Sequence, residues 1–141
     1  MTSATVTVQT VNLVQGEKSS FKTRCSGTYF YKNGMAIVQY TDVLYGDAEQ
    51  EIKTSVKIFN NTVTLTRNGE AQSRIVITPG QRQACVYETP YGSFVFGFTG
   101  EKLLHRFTEQ GGELFVRYRV DTEKQPLQTN EITLKVRKCE P

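Results

Sequence analysis

Apolar and polar residues alternate along most of this chain, and a period of two marks strands with one buried face. In the first run, residues 4–13, Ala4, Val6 and Val8 oppose Thr5, Thr7 and Gln9. The apolar side then switches to Val11 and Leu13, which predicts a bulge or the end of the strand. Residues 15–20 read as a polar connection. Residues 21–32 and 35–42 flank Asn33-Gly34, the strongest short hairpin signal a sequence can carry. Tyr29 and Tyr31 fall on one face of that hairpin and Phe30 on the other, so the pattern leaves its register open. Residues 44–50 read as a loop. In residues 52–59, Ile52, Thr54, Val56 and Ile58 share a face. Asn60-Asn61 is a turn, after which Val63, Leu65 and Arg67 alternate with threonines.

Pairing arguments sharpen the later hairpins. Around Arg67-Asn68-Gly69, a two-residue loop would mix apolar and polar residues on one face. A three-residue loop instead pairs Leu65 with Ala71 and Val63 with Ser73, and continues the face into Ile75 and Ile77. It also sets Arg67 in a loop at the rim. Tyr87-Glu88-Thr89-Pro90-Tyr91-Gly92 separates strand-like residues 83–88 from 93–99. Proline pre-sets φ there, and Gly92 accepts the left-handed conformation that closes the turn. A Pro90-Tyr91-Gly92 loop pairs Thr89 with Ser93 and Tyr87 with Val95. It gathers Ala84, Val86, Phe94, Phe96 and Phe98 on a core face, with Glu88 opposite Phe94. A Gly111-Gly112 loop pairs Phe107 with Val116, His105 with Tyr118 and Leu103 with Val120, making residues 102–108 a strand. Residues 121–129, with Pro126, read as a loop, and Ile132, Leu134 and Val136 mark the last strand.

The pattern yields about eleven short strands, no secure helix and turns every ~8–12 residues, an all-β sandwich or barrel. Sequential hairpins favour an antiparallel up-and-down meander, and closing it into a barrel removes the exposed edges. At 141 residues one domain is expected, large enough to hold a core without a disulfide or metal. A net charge of +3, from 17 basic and 14 acidic residues, is too mild to demand a nucleic-acid partner. The three cysteines, Cys25, Cys85 and Cys139, are odd in number and widely spaced, which suits free thiols in a reducing cytoplasm. The N-terminus has no basic and apolar leader pattern, and no apolar run approaches the ~20 residues that span a bilayer. A cytoplasmic protein with no membrane partner is the expectation.

Several segments carry a resemblance. They are Gly27-Thr28-Tyr29-Phe30-Tyr31, the strand reaching Tyr40, Arg67-Asn68-Gly69, Tyr87-Glu88-Thr89-Pro90-Tyr91-Gly92, and Gly112-Glu113-Leu114-Phe115-Val116-Arg117-Tyr118. Through them nearly the whole chain resembles the YwiB-like family, bacterial β-barrel proteins of unknown function grouped with the calycins. The resemblance implies a closed lipocalin-like barrel, usually drawn with eight to ten strands. It brings no activity with it. The lipocalin Gly-x-Trp signature is absent, since the chain has no Trp.

A small barrel is either filled by side chains or holds one ligand, and the polar groups on its inner faces decide which. The pairing arguments nominate Glu88, His105 and Tyr118 as polar handles for a small ligand; the more ordinary reading of the same residues is a satisfied internal hydrogen-bond set. Arg67 and Tyr91, both at turns, suit an anion clamp at the mouth, or a turn brace and simple packing. An alternative site lies on the outer faces of the last strands. There Phe115, Arg117, Arg119, Lys135 and Arg137 form a basic ribbon with one aromatic, a surface suited to nucleic acid or a protein partner. The lone His has no neighbouring Ser or Cys motif and no paired acids, so no catalytic constellation forms. The expectation is a non-enzymatic barrel without a cofactor, binding a small molecule in or at its mouth.

Overall fold

The computed structural model describes residues 1–44, 50–68, 72–122 and 125–139. Among the described residues, ten antiparallel strands close into one barrel, each beside its sequence neighbours and the first beside the last. They are β1 (Thr2–Val14), β2 (Glu17–Lys32), β3 (Met35–Leu44), β4 (Gln50–Phe59), β5 (Thr62–Asn68), β6 (Gln72–Ile77), β7 (Arg82–Thr89), β8 (Gly92–Thr108), β9 (Gly111–Thr122) and β10 (Gln125–Lys138). One strand fewer than expected results because residues 93–99 and 102–108 belong to a single β8. A shift of register between Gly100 and Lys102 bends this strand without ending it. Residues 17–20 and most of the stretch from 121 to 129 are strand rather than loop, so β1–β2 and β9–β10 are longer hairpins than the pattern suggested. The expected loop at 44–50 falls largely outside the described residues.

Three turns follow the sequence closely. Gln15-Gly16, Asn33-Gly34 and Asn60-Asn61 each place both central residues at positive φ, between 50° and 81°. That is the mirror-image turn whose twist matches the flanking strands, and Asn and Gly tolerate it best. The inner face they align is packed solid. Val6, Val38, Val56, Ile58, Val63, Ile77, Leu114, Val116 and Leu134 are fully buried in it.

Three other hairpins differ from the expected register. Thr89 pairs with Gly92 and Tyr87 with Phe94, so Pro90-Tyr91 is a two-residue connection and Gly92, at φ 131°, opens β8. This one-residue slip reverses half of the expected core face. Phe96 and Phe98 stay inside opposite Cys85 and Gln83, whereas Ala84 and Val86 lie exposed on the outside. At the next hairpin the glycines likewise begin the strand. Thr108 pairs with Gly111, Phe107 with Gly112 and His105 with Leu114. Between β5 and β6, Leu65 pairs with Ile75, Val63 with Ile77 and Arg67 with Ser73; Arg67 is therefore a strand residue, not a loop residue. These last two shifts are even, so the faces survive while the partners change.

The barrel wall is uneven. β6 meets β7 in register only at Gln72 opposite Glu88, and the Cys85 thiol donates to the Arg74 carbonyl across the same seam. Below it, Gly100 exchanges backbone hydrogen bonds with Gly80 and Gln81. On the outside, Gly97 carries no side chain, and Arg82 lies across it to reach Asp121 on β9 at 2.6 Å.

Candidate functional site at the barrel mouth

The turns at Gln15-Gly16 and Pro90-Tyr91 mark one end of the barrel, together with the ends of β3, β5 and β9. Near this end the inner rows change from aliphatic to polar. On β4, the row of Ile58 and Val56 continues into Thr54; on β10, the row of Leu134 and Ile132 continues into Asn130. Thr54 stands opposite Arg67, and Arg67 opposite Ser73. Across the barrel, Asn130 stands opposite Tyr118.

Within this layer Asn130 and Tyr118 are joined directly. The Asn130 side-chain amide donates to the Tyr118 hydroxyl at 3.3 Å, and the Phe98 ring lies tilted against the Tyr118 ring, 5.9 Å between centroids. Burial pushes the Tyr118 phenol up from its ordinary range, while the Asn130 hydrogen bond and the Arg67 charge pull it partly back. The Arg67 side chain is itself exposed at the mouth. Two oxygens in the layer have no hydrogen-bond partner among the described residues. They are Thr54 Oγ1, on a residue 2% exposed, and Asn130 Oδ1, on a residue 8% exposed. A buried oxygen left unpaired costs about 1–3 kcal/mol, so each is a position where a hydrogen-bond donor would be favourable.

Towards the same end, the inner rows of β1, β2 and β8 finish in exposed apolar groups. Phe21, two rungs beyond Cys25 on β2, is 69% exposed, and Phe94, beyond Phe96 on β8, is half exposed. Val14 ends the row of Val6 and Val8 on β1. The mouth is thus apolar at its lip and polar at its floor.

The residues nominated from sequence divide sharply. Arg67 and Tyr118 come together in this layer. His105 does not join them; it stands exposed opposite Leu114 towards the other end, because the Gly111-Gly112 pair opens β9 instead of forming the loop. Tyr91 is 95% exposed at the tip of the β7–β8 hairpin. Glu88 pairs by backbone with Ser93 and Gln72, not with Phe94, and its side chain lies outside the described residues. Thr54, Ser73 and Asn130 were not nominated. Each follows a hydrophobic row at two-residue spacing, and that polar interruption was the available signal.

The basic ribbon also divides. Arg117 is paired with Glu131 at 2.7 Å, and its guanidinium lies 5.9 Å over the Phe115 ring, the face a base would need. Arg119 is paired with Glu101 at 3.0 Å. Lys135 and Arg137, with Arg24 from β2, instead line an open outer groove of about 370 Å³ beside Thr5 and Thr7. Among the described residues these three cations have no carboxylate within ion-pair distance.

Among protein-family models, one described as a domain of unknown function (DUF1934) matches residues 6–134. The chain belongs to this family. A crystal structure of the ywiB protein from Bacillus subtilis superposes with a TM-score of 0.85 at 18% identity, covering 99% of this chain and 93% of that one. At that identity the likeness establishes the barrel, in agreement with the YwiB-like and calycin-like reading of the sequence. No curated protein matches the chain. Among the described residues, no helix is long and apolar enough to cross a membrane.

Proposed function

We propose that this family member is a binding protein, without catalysis of its own, that holds a small amphipathic anion in the mouth of the barrel. The observation that carries this reading is the pair of buried, unpaired oxygens, Thr54 Oγ1 and Asn130 Oδ1, in one layer with Tyr118 and the exposed Arg67. The chemistry defines the ligand. Asn130 Oδ1 takes an N–H or O–H donor, and Thr54 Oγ1 takes a donor or offers its proton. Arg67 takes a carboxylate or phosphate, favourably in a two-pronged arrangement. Phe21 and Phe94 at the lip cover an apolar body. A fully hydrophobic ligand would leave the polar floor unpaired and is disfavoured for that reason. The packed aliphatic layer below sets the depth, so the ligand enters the mouth and stops there.

The basic groove of Arg24, Lys135 and Arg137 supports an interaction surface less well. Two of the ribbon's cations are neutralised within the fold and its aromatic face is covered.

The test is mass spectrometry of the purified protein, native and then denatured, on the wild type and on Arg67→Ala. The expected result is a small acid that leaves on denaturation and is depleted in Arg67→Ala. A clean protein mass for the wild type, with no stabilisation by a panel of aliphatic and aromatic carboxylates and phosphates, overturns the reading. A ligand retained unchanged by Arg67→Ala overturns the anion assignment.

A further inference from the structure

β8 continues past the start of β7, and over residues 102–108 it pairs with β9 on one side only. Among the described residues no backbone partner meets its other edge; the Gly80 and Gln81 hydrogen bonds stop at Gly100. The Thr108 carbonyl accepts from the Tyr29 hydroxyl; ahead of it, residues 102–107 present an edge without a neighbouring strand, which natural sheets either blunt or use. Its outer row reads Lys102, Leu104, Arg106, basic–apolar–basic, and all three are exposed. Leu104 and Arg106 border an open groove of about 280 Å³ that runs onto β9 and β10 beside Phe115 and Thr133. Lys102 and Arg106 have no ion pair among the described residues. The nearest acids are otherwise placed: Glu101 is held by Arg119, Glu109 lies in the turn beyond the edge, and Glu113 flanks Arg106 from the β9 side. His105 lies between the two cations in sequence and is itself exposed.

We infer that this edge is a docking site for an extended acidic segment of a partner protein, which adds to the barrel as a strand beside β8. Backbone hydrogen bonds supply the attachment, and side chains at alternate positions supply the selection. Opposite Lys102 and Arg106 the partner carries Glu or Asp, and between them an apolar residue packs against the exposed Leu104 side chain. The recognised pattern is acidic–x–apolar–x–acidic. Charge selects this occupant over a second copy of the chain. Two such edges paired antiparallel about Leu104 would set Lys102 of each against Arg106 of the other, and like charges directly opposite are repulsive. The site is remote from the mouth and does not depend on what the mouth binds.

The experiment uses the full chain and a fluorescein-labelled peptide with the core Glu-Thr-Leu-Thr-Glu, read by fluorescence anisotropy and by hydrogen exchange. In the free protein, amides of residues 102–108 that point away from β9 exchange rapidly, and the peptide slows them. Lys102→Glu with Arg106→Glu weakens binding about tenfold or more, and a Lys-Thr-Leu-Thr-Lys peptide regains it on that variant. Both substitutions are at exposed positions, and circular dichroism confirms the fold. Four results overturn the inference. They are slow exchange of the whole edge in the free protein, equal binding of a peptide N-methylated at alternate residues, no binding up to about 1 mM, and a concentration-dependent dimer that protects the edge.

Discussion

Thr54→Val is the sharpest test of the polar floor. Valine replaces the hydroxyl by a methyl of nearly the same shape, on a residue only 2% exposed. Thr54 Oγ1 has no hydrogen-bond partner among the described residues, so the substitution breaks no bond within the fold. Removing an unpaired buried hydroxyl recovers part of a desolvation cost of about 1–3 kcal/mol. The added methyl contributes up to about 0.8 kcal/mol of apolar burial. Because the hydroxyl's surroundings include Arg67 and Ser73 rather than a wholly apolar wall, the low half of that range applies. The expected gain is about 1–2 kcal/mol for the ligand-free protein, or roughly 3–8 °C in Tm for a domain of this size. If the mouth holds the proposed anion, the same variant is expected to bind it more weakly. Stability gained where function is lost is the expected exchange at a binding site. Chemical denaturation of ligand-stripped wild type and variant measures the first effect, and ligand retention the second. A variant destabilised by 1 kcal/mol or more would show that Oγ1 is already satisfied, and the argument for the site would lose its main support.

Three further outcomes follow from the fold. The Tyr29 hydroxyl donates to the Thr108 carbonyl at 2.6 Å, and burial, helped by Tyr31, pushes its phenol from 10.0 up to about 12. The folded state then keeps a proton that the unfolded state loses, so this stabilisation is complete below pH 10 and is lost as pH rises towards 12. Tyr29→Phe is expected to cost about 1 kcal/mol at neutral pH and to flatten the alkaline loss, as read by urea denaturation from pH 8 to 11.5. Gly100→Ala would bring a Cβ within 2.7 Å of the Thr78 carbonyl and 2.9 Å of Ile77 Cγ2, at the point where the β6–β7 turn closes on β8. A loss of roughly 1–3 kcal/mol is expected in thermal unfolding, whereas Gly34→Ala, with open space around it, carries only the strain of positive φ. If the outer surface binds RNA or another polyanion, Arg24→Ala with Lys135→Ala should weaken it and reduce its salt dependence. Arg117→Ala with Arg119→Ala should do so less, because those two cations are held by Glu131 and Glu101.

The architecture was legible wherever side-chain alternation and turn chemistry agreed. Asn33-Gly34 and Asn60-Asn61 fixed their hairpins because both positions take positive φ, and the rows through Val56 and Ile58 or Leu134 and Val136 needed no further information. The register failures share a cause in the two hairpins where the turn is described. Gly92 and Gly111 were assigned to loops, but each takes a φ near 130° as the first residue of the returning strand. Glycine's freedom suits a turn residue and a strand-opening residue alike, so sequence alone does not separate them. At β7–β8 the resulting shift was odd, and Val86 was carried from the core to the surface. At β8–β9 it was even, so Leu103 and Phe107 kept their face while His105 lost Tyr118 as a neighbour.

The site was less legible for a different reason. Its members lie on β4, β5, β6, β9 and β10, and only barrel closure brings them into one layer. Chemistry-bearing residue types drew attention to His105, which stands exposed towards the other end, and to Glu88, whose side chain lies outside the described residues. Thr54 and Asn130 are chemically modest, and their meaning comes from burial. An exposed Thr or Asn on a strand is unremarked, whereas the same residue continuing an aliphatic inner row must find a partner. The row below Asn130 is Ile132, Leu134 and Val136, and the row below Thr54 is Val56 and Ile58, so each polar residue interrupts an aliphatic row towards the mouth. That coincidence on opposite sides of the barrel is what a filled barrel with a shallow polar mouth requires. A hollow carrier would place its polar groups deeper, among residues that are here fully buried valine, leucine and isoleucine. The mouth, not the lumen, is therefore where this barrel has chemistry to offer.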